Sequence, residues 1–162
     1  MAQNKTNAQR ILEKANIPFQ SHEYPHGKDA VDGLHVAQLL NQDPARVFKT
    51  LVTKGAKGQV YVFVIPVTGE LDLKKAAKAA GEKSIAMAPT SELLSLTGYI
   101  RGGCSPVGMK KNYPTFLDQS AEQHDAIMVS AGRIGTQVEV SPVKLMQLIH
   151  GRLADLLVES SQ

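Results

Sequence analysis

The stretch Val47-Phe48-Lys49-Thr50-Leu51-Val52-Thr53, the turn-forming Lys54-Gly55-Ala56-Lys57-Gly58, and then Val60-Tyr61-Val62-Phe63-Val64-Ile65-Pro66 decide the fold class. Two β-branched and aromatic runs separated by a glycine-containing link predict a β-hairpin. Working outward, short strands and short helices interleave. Thr6 with Gln9 predicts a capping box opening a helix through Ala8, Ile11, Leu12 and Ala15, which stops before Pro18. Phe19 to Tyr24 alternates as an edge strand, Pro25 to Gly33 reads as a loop, and Leu34 to Leu40 as a helix. Asp72 predicts the cap of a helix ended by Gly81, and Pro89 introduces another over Thr90 to Leu96.

Beyond Gly98, the run Gly102-Gly103-Cys104-Ser105-Pro106-Val107-Gly108 predicts a structured loop in mid-domain. Strands are expected at Thr115 to Asp118, Ala126 to Ser130, Thr136 to Val140 and Ala154 to Val158, with a helix over Pro142 to Ile149. Hairpin links in place of regular helical crossovers argue against a doubly wound parallel sheet. The expected architecture is α+β: one domain over residues 1–162, with a mixed, barrel-like sheet flanked by short helices.

The 162 residues suit one domain, and 43% hydrophobic content suffices for a continuous core. With 18 Lys and Arg against 15 Asp and Glu, the net charge of +3 permits an anionic partner without demanding one. One cysteine cannot close an internal disulfide, and no Cys or His cluster has zinc-site spacing. The polar start and the lack of a long apolar run point to a cytoplasmic chain with no membrane partner.

Lys49 shares a largely apolar strand, a position that suits snorkelling, a carboxylate partner or an anionic ligand. Gly102-Gly103 can present backbone N–H groups unobstructed, as a phosphate cradle or oxyanion hole needs, although a tight turn explains paired glycines equally well. Ser130-Ala131-Gly132-Arg133-Ile134-Gly135 is a second loop of small residues. Cys104 has no histidine nearby in sequence and reads as a small buried hydrophobe. The five histidines are scattered, and no nucleophile elbow or metal-binding helix is present.

Four ordered segments, Val47-Phe48-Lys49-Thr50-Leu51, Gly69-Glu70-Leu71-Asp72-Leu73-Lys74-Lys75, Thr97-Gly98-Tyr99 with Gly102 to Gly108, and Ser130-Ala131-Gly132, resemble the YbaK/EbsC family over nearly the whole chain. The resemblance implies a free-standing relative of the editing domain of bacterial prolyl-tRNA synthetases, one that deacylates Cys-tRNA(Pro) in trans. It implies that Lys49 holds the tRNA terminus and that the backbone at Gly102 faces the scissile ester. Tyr24, Thr50, Ser130 and Gly132 match other pocket positions, and Gly103 and Gln137 complete the expected substrate-binding set. It further implies no cofactor or metal, since the substrate cysteine thiol attacks its own ester. Aminoacylated tRNA(Pro) and, weakly, prolyl-tRNA synthetase are the implied partners. Two departures stand out: Gln137 occupies a position where close relatives carry aspartate, and Asp32 lies near one that can be aromatic. Release of another small amino acid such as alanine, or RNA or nucleotide binding without turnover, are the alternative readings.

Overall fold

A computed structural model describes residues 4–159; the outermost three residues at each end of the expected 1–162 domain lie outside the described residues. Thr6 accepts from the Gln9 amide at 3.1 Å, and Gln9 Oε1 accepts from the Thr6 N–H at 2.8 Å, opening α1 (Asn7–Lys14) as the sequence predicts. Asp72 accepts from the amides of Lys74 and Lys75 to start α3 (Leu73–Ala80), which ends at Gly81 with φ +75°. The remaining helices are α2 (Gly33–Leu39), α4 (Thr90–Thr97) and α5 (Pro142–Ile149), the last capped by Ser141.

The hairpin pairs β2 (Phe48–Gly55) with β3 (Val60–Pro66), Lys49 opposite Ile65 and Leu51 opposite Phe63. It is the centre of a five-stranded mixed sheet ordered β4 (Ile85–Met87), β2, β3, β5 (Thr115–Asp118), β8 (Arg152–Ala154). Pairing of β3 with β5 and of β5 with β8 is parallel; the rest is antiparallel. A second sheet, fully antiparallel, is ordered β1 (Phe19–Glu23), β7 (Thr136–Val140), β6 (Ile127–Arg133). An isolated bridge between Val47 and Met128 joins the two, so the architecture is α+β with two sheets and no closed barrel.

Every residue of β3 is buried because both faces of its sheet are covered. On one face Val62 and Val64 meet Phe48, Leu117, Ile127, Val129 and Val138, with Leu12 of α1 and Leu145 of α5 closing the core. On the other, Phe63 stacks on Phe116 with ring centroids 5.4 Å apart, over Ala76 and Ala77 of α3 and Leu156. Burial of this kind contributes about 25 cal/mol per Å² of apolar surface.

Three elements differ from expectation. Strand β4 is only three residues long, too short for alternation to reveal, and pairs with Thr53, Lys54 and Gly55. The last strand lies at Arg152–Ala154, ahead of the expected 154–158, because Leu156 turns inward as a core residue and Leu157 makes only a bridge to Leu71. Strand β6 runs on to Arg133 through a bulge between Ser130 and Arg133, so the small residues expected as a loop are largely ladder.

The approach of the chain to β2 is held by one ionic cluster. Glu139 of β7 lies 2.9 Å from His22 of β1 and 2.8 Å from Arg46, the last residue of the Pro44–Arg46 turn, while Arg46 Nε donates to the Ala126 carbonyl. Burial works against the Glu139 carboxylate, yet the hydrogen bonds from His22 and Arg46 outweigh it and hold its pKa below the usual range. The entry into Phe48-Lys49-Thr50 is thereby tied to both neighbouring strands of the smaller sheet. Among the described residues, no helix is long and apolar enough to cross a membrane.

Candidate active site

Where the two sheets meet, three loops converge on the start of β2 and enclose a cavity of about 850 Å³, within the range of roughly 300–1,000 Å³ usual for small-ligand sites. Six of the eight residues singled out in the sequence line it: Tyr24, Lys49, Thr50, Gly102, Ser130 and Gln137. Gly132 borders an adjoining cavity of about 420 Å³. Gly103 lines neither; an added Cβ there would stand 2.9 Å from the Arg133 backbone, so its role is to let two loops touch.

Register explains the convergence. Ser130 of β6 lies directly opposite Gln137 of β7, and an antiparallel pair of this kind sends both side chains to one face. Ser130 Oγ accepts from the Gly132 amide at 3.1 Å, which shapes the bulge. Tyr24, 4% exposed, follows β1 and is anchored by its amide to the Gly135 carbonyl. Lys49 is half-buried and, among the described residues, has no carboxylate within ion-pair distance.

Among the described residues, two buried oxygens at this cavity have no hydrogen-bond partner, Thr50 Oγ1 and Gln137 Oε1. Leaving such a group unpaired costs about 1–3 kcal/mol each, a penalty that a bound donor removes. Gln137 Oε1 is purely an acceptor, suited to a ligand hydroxyl or ammonium, whereas Thr50 can donate or accept. Opposite them, Gly102 has φ +85°, and its N–H makes no hydrogen bond to backbone or side chain among the described residues. Its missing side chain is required: an added Cβ would stand 2.7 Å from Ala30 Cβ.

Cys104 also lines the cavity but is 8% exposed, and burial, offset in part by a hydrogen bond with Thr97, pushes its thiol pKa up to about 11. A thiol held protonated at neutral pH is a poor nucleophile. Cys104→Ala is therefore expected to keep any hydrolytic rate of this site within about threefold at pH 7. Iodoacetamide treatment of the folded wild type followed by an activity assay checks the same point, and inactivation would count against it.

Three cationic or acidic wall residues escaped the sequence reading. Lys28 and Asp29 enter from the Pro25 to Gly33 loop, which carries no periodic signal, and only tertiary contact places it on Gly102. Arg101 was more accessible: a cation immediately before a glycine pair is a signal in its own right.

Comparison with known proteins gives this geometry a context. Residues 28–148, which contain most of the cavity wall, match the model of the aminoacyl-tRNA editing domain. The chain belongs to the aminoacyl-tRNA editing domain family. An Enterococcus faecalis protein, EbsC, provisionally assigned as a Cys-tRNA(Pro)/Cys-tRNA(Cys) deacylase, is 46% identical over 95% of this chain and 94% of its own. A proline–tRNA ligase of Brachyspira hyodysenteriae is 22% identical over 84% of this chain, which matches 25% of that enzyme. Among solved structures, one provisionally described as a trans-editing enzyme for prolyl-tRNA synthetase superposes with a TM-score of 0.81 at 25% identity, covering 96% of this chain and all of that one. The fold of the editing domain is thus the α+β arrangement of two sheets and five short helices described above.

Proposed function

We propose that this editing domain acts in trans as a deacylase clearing cysteine from Cys-tRNA(Pro), with Lys49 and the Gly102 backbone as its central groups. The observation that carries the reading is the makeup of the cavity. Among the described residues it combines a cation without a carboxylate partner, an unbonded backbone N–H and two unpartnered buried oxygens, and its own thiol is held neutral. Such a wall positions and polarises a substrate that brings its own nucleophile.

The chemistry follows. The substrate thiol, a few per cent ionised near neutral pH, adds to its own ester carbonyl. The C–S bond forms, the ester C–O bond breaks, the ribose oxygen leaves with the thiol proton, and the amino acid departs as a thiolactone. Lys49 holds the phosphate of the terminal nucleotide, and the Gly102 N–H donates to the oxyanion that develops on the carbonyl. Thr50 and Gln137 take the ribose hydroxyls or the α-amino group; as a neutral amide, Gln137 can bond an ammonium only through its oxygen. Holding the thiol in a near-attack geometry supplies much of the acceleration.

A net charge of +3 grips a whole tRNA weakly, so a transient association with prolyl-tRNA synthetase would supply tRNA selectivity. A deacylation time course with Cys-tRNA(Pro), Ala-tRNA(Pro) and Pro-tRNA(Pro) side by side tests the proposal. Cysteine is expected to be released at least tenfold faster than the other two. Preferential release of alanine would leave the deacylase and remove the thiol mechanism, and protection of the ester without turnover would make the domain a binding module.

A further inference from the structure

Next to the main cavity lies the smaller one, and the two share Lys28, Ile100 and Ile134 as a common wall. Its own contributions include His26, Tyr99, Gly132 and Arg133, and no Asp or Glu lines it. The main cavity sets Lys28, Lys49 and Arg101 against Asp29 and Asp32. The smaller one has Lys28 and Arg133 with nothing opposing them, so it is the more purely cationic of the two.

Its walls are fixed by close approaches. An added Cβ at Gly132 would stand 2.9 Å from the Tyr99 ring, and one at Gly135 would stand 2.2 Å from His26, whose ring also meets Tyr24 edge-on at 6.3 Å. Arg133 is set by Nε donating to Thr136 Oγ1 at 3.0 Å and Nη1 donating to the Asn4 carbonyl at 2.7 Å, and among the described residues Nη2 has no hydrogen-bond partner. On the common wall, Ile100 is 51% exposed, an apolar surface beside the cations.

We infer that the smaller cavity is a second subsite, holding the nucleotide that precedes the aminoacylated one: its phosphate on Lys28 and Arg133, its base against Ile100. The inference rests on the proposed deacylase reading, because an aminoacyl-RNA continues beyond the reacting sugar only through its RNA. A chain leaving the main cavity over the common wall meets Lys28 and then Arg133, with Ile100 beside them, a cationic groove of the kind that tracks a single-stranded backbone.

The test compares 3′-cysteinyl-adenosine 5′-monophosphate, which already carries the phosphate assigned to Lys49, with cysteinylated CCA trinucleotide, using wild type and Arg133→Gln. Wild type is expected to favour the trinucleotide in kcat/KM by tenfold or more. That preference should decline with rising salt, with a log–log slope near −0.7 for each phosphate neutralised. Arg133→Gln should lose about tenfold on the trinucleotide and nothing on the mononucleotide. Equal cleavage of both substrates by wild type, or a preference indifferent to salt, would overturn the subsite and leave the deacylase standing; cleavage of neither would overturn both. Should Arg133→Gln lose the mononucleotide reaction as well, its fold is disturbed and the wild-type salt series decides.

Discussion

Lys49→Ala is expected to lower kcat/KM for Cys-tRNA(Pro) by at least 100-fold while shifting Tm by no more than about 2 °C. The two halves of this expectation have different origins. Lys49 sits opposite Ile65 near the start of β2, half-buried, with no carboxylate partner among the described residues. The folded chain therefore gains little from its ammonium, and a substitution that breaks no bond costs within about 0.5 kcal/mol. On a chain of this size that corresponds to a degree or two. In the proposed reaction the same ammonium supplies the phosphate contact, and loss of one preorganised charged group in a site of this kind costs roughly 100- to 1,000-fold. Lys49→Met separates charge from packing, since it retains the apolar stem and drops the charge. A loss matching that of alanine would tie the effect to the ammonium, and full activity in Lys49→Met would sink the assigned role. Circular dichroism and thermal melts on the same samples supply the stability half.

Legibility in the sequence followed the range of the interactions. Helix starts are local events, so the Thr6–Gln9 box and the Asp72 and Ser141 caps were either readable or consistent with the predicted helices. The β2–β3 hairpin was readable because its period and its turn agree. Parallel pairing of β5 between β3 and β8 was not, because it joins residues more than thirty positions apart and alternation carries no partner information. At the site, residues within motif segments were legible as types: a cation in an apolar strand, glycines in a loop. Their convergence was not, because it arises where the β6–β7 bulge, the Gly102 loop and the residues after Tyr24 pack together. The smaller sheet shows the same limit, since the Val47–Met128 bridge that joins it to the larger one is a long-range pairing that no local pattern announces.

Gly102→Ala is expected to lower deacylation by about 100-fold and also to lower Tm, unlike Lys49→Ala. Two costs coincide. The backbone holds φ +85°, where an L side chain adds roughly 1–2 kcal/mol, and the new Cβ would stand 2.7 Å from Ala30 Cβ and 3.0 Å from Ala30 Cα. The second contact is with backbone, so no rotamer change relieves it; either the loop bearing Ala30 or the loop bearing Gly102 must move. Both are walls of the cavity, and a displacement approaching 1 Å at a reacting centre costs on the order of 100-fold. The melt should fall by about 2–4 °C for each kcal/mol. The pair Gly102→Ala with Ala30→Gly removes the Cβ–Cβ contact and leaves the φ cost and the 3.0 Å contact with the Cα of residue 30, so part of the Tm and part of the activity should return, in excess of the sum of the single effects. A Gly102→Ala variant that melts lower yet retains full activity would show that the backbone at this position does not face the ester, and would move the oxyanion contact to another donor of the cavity.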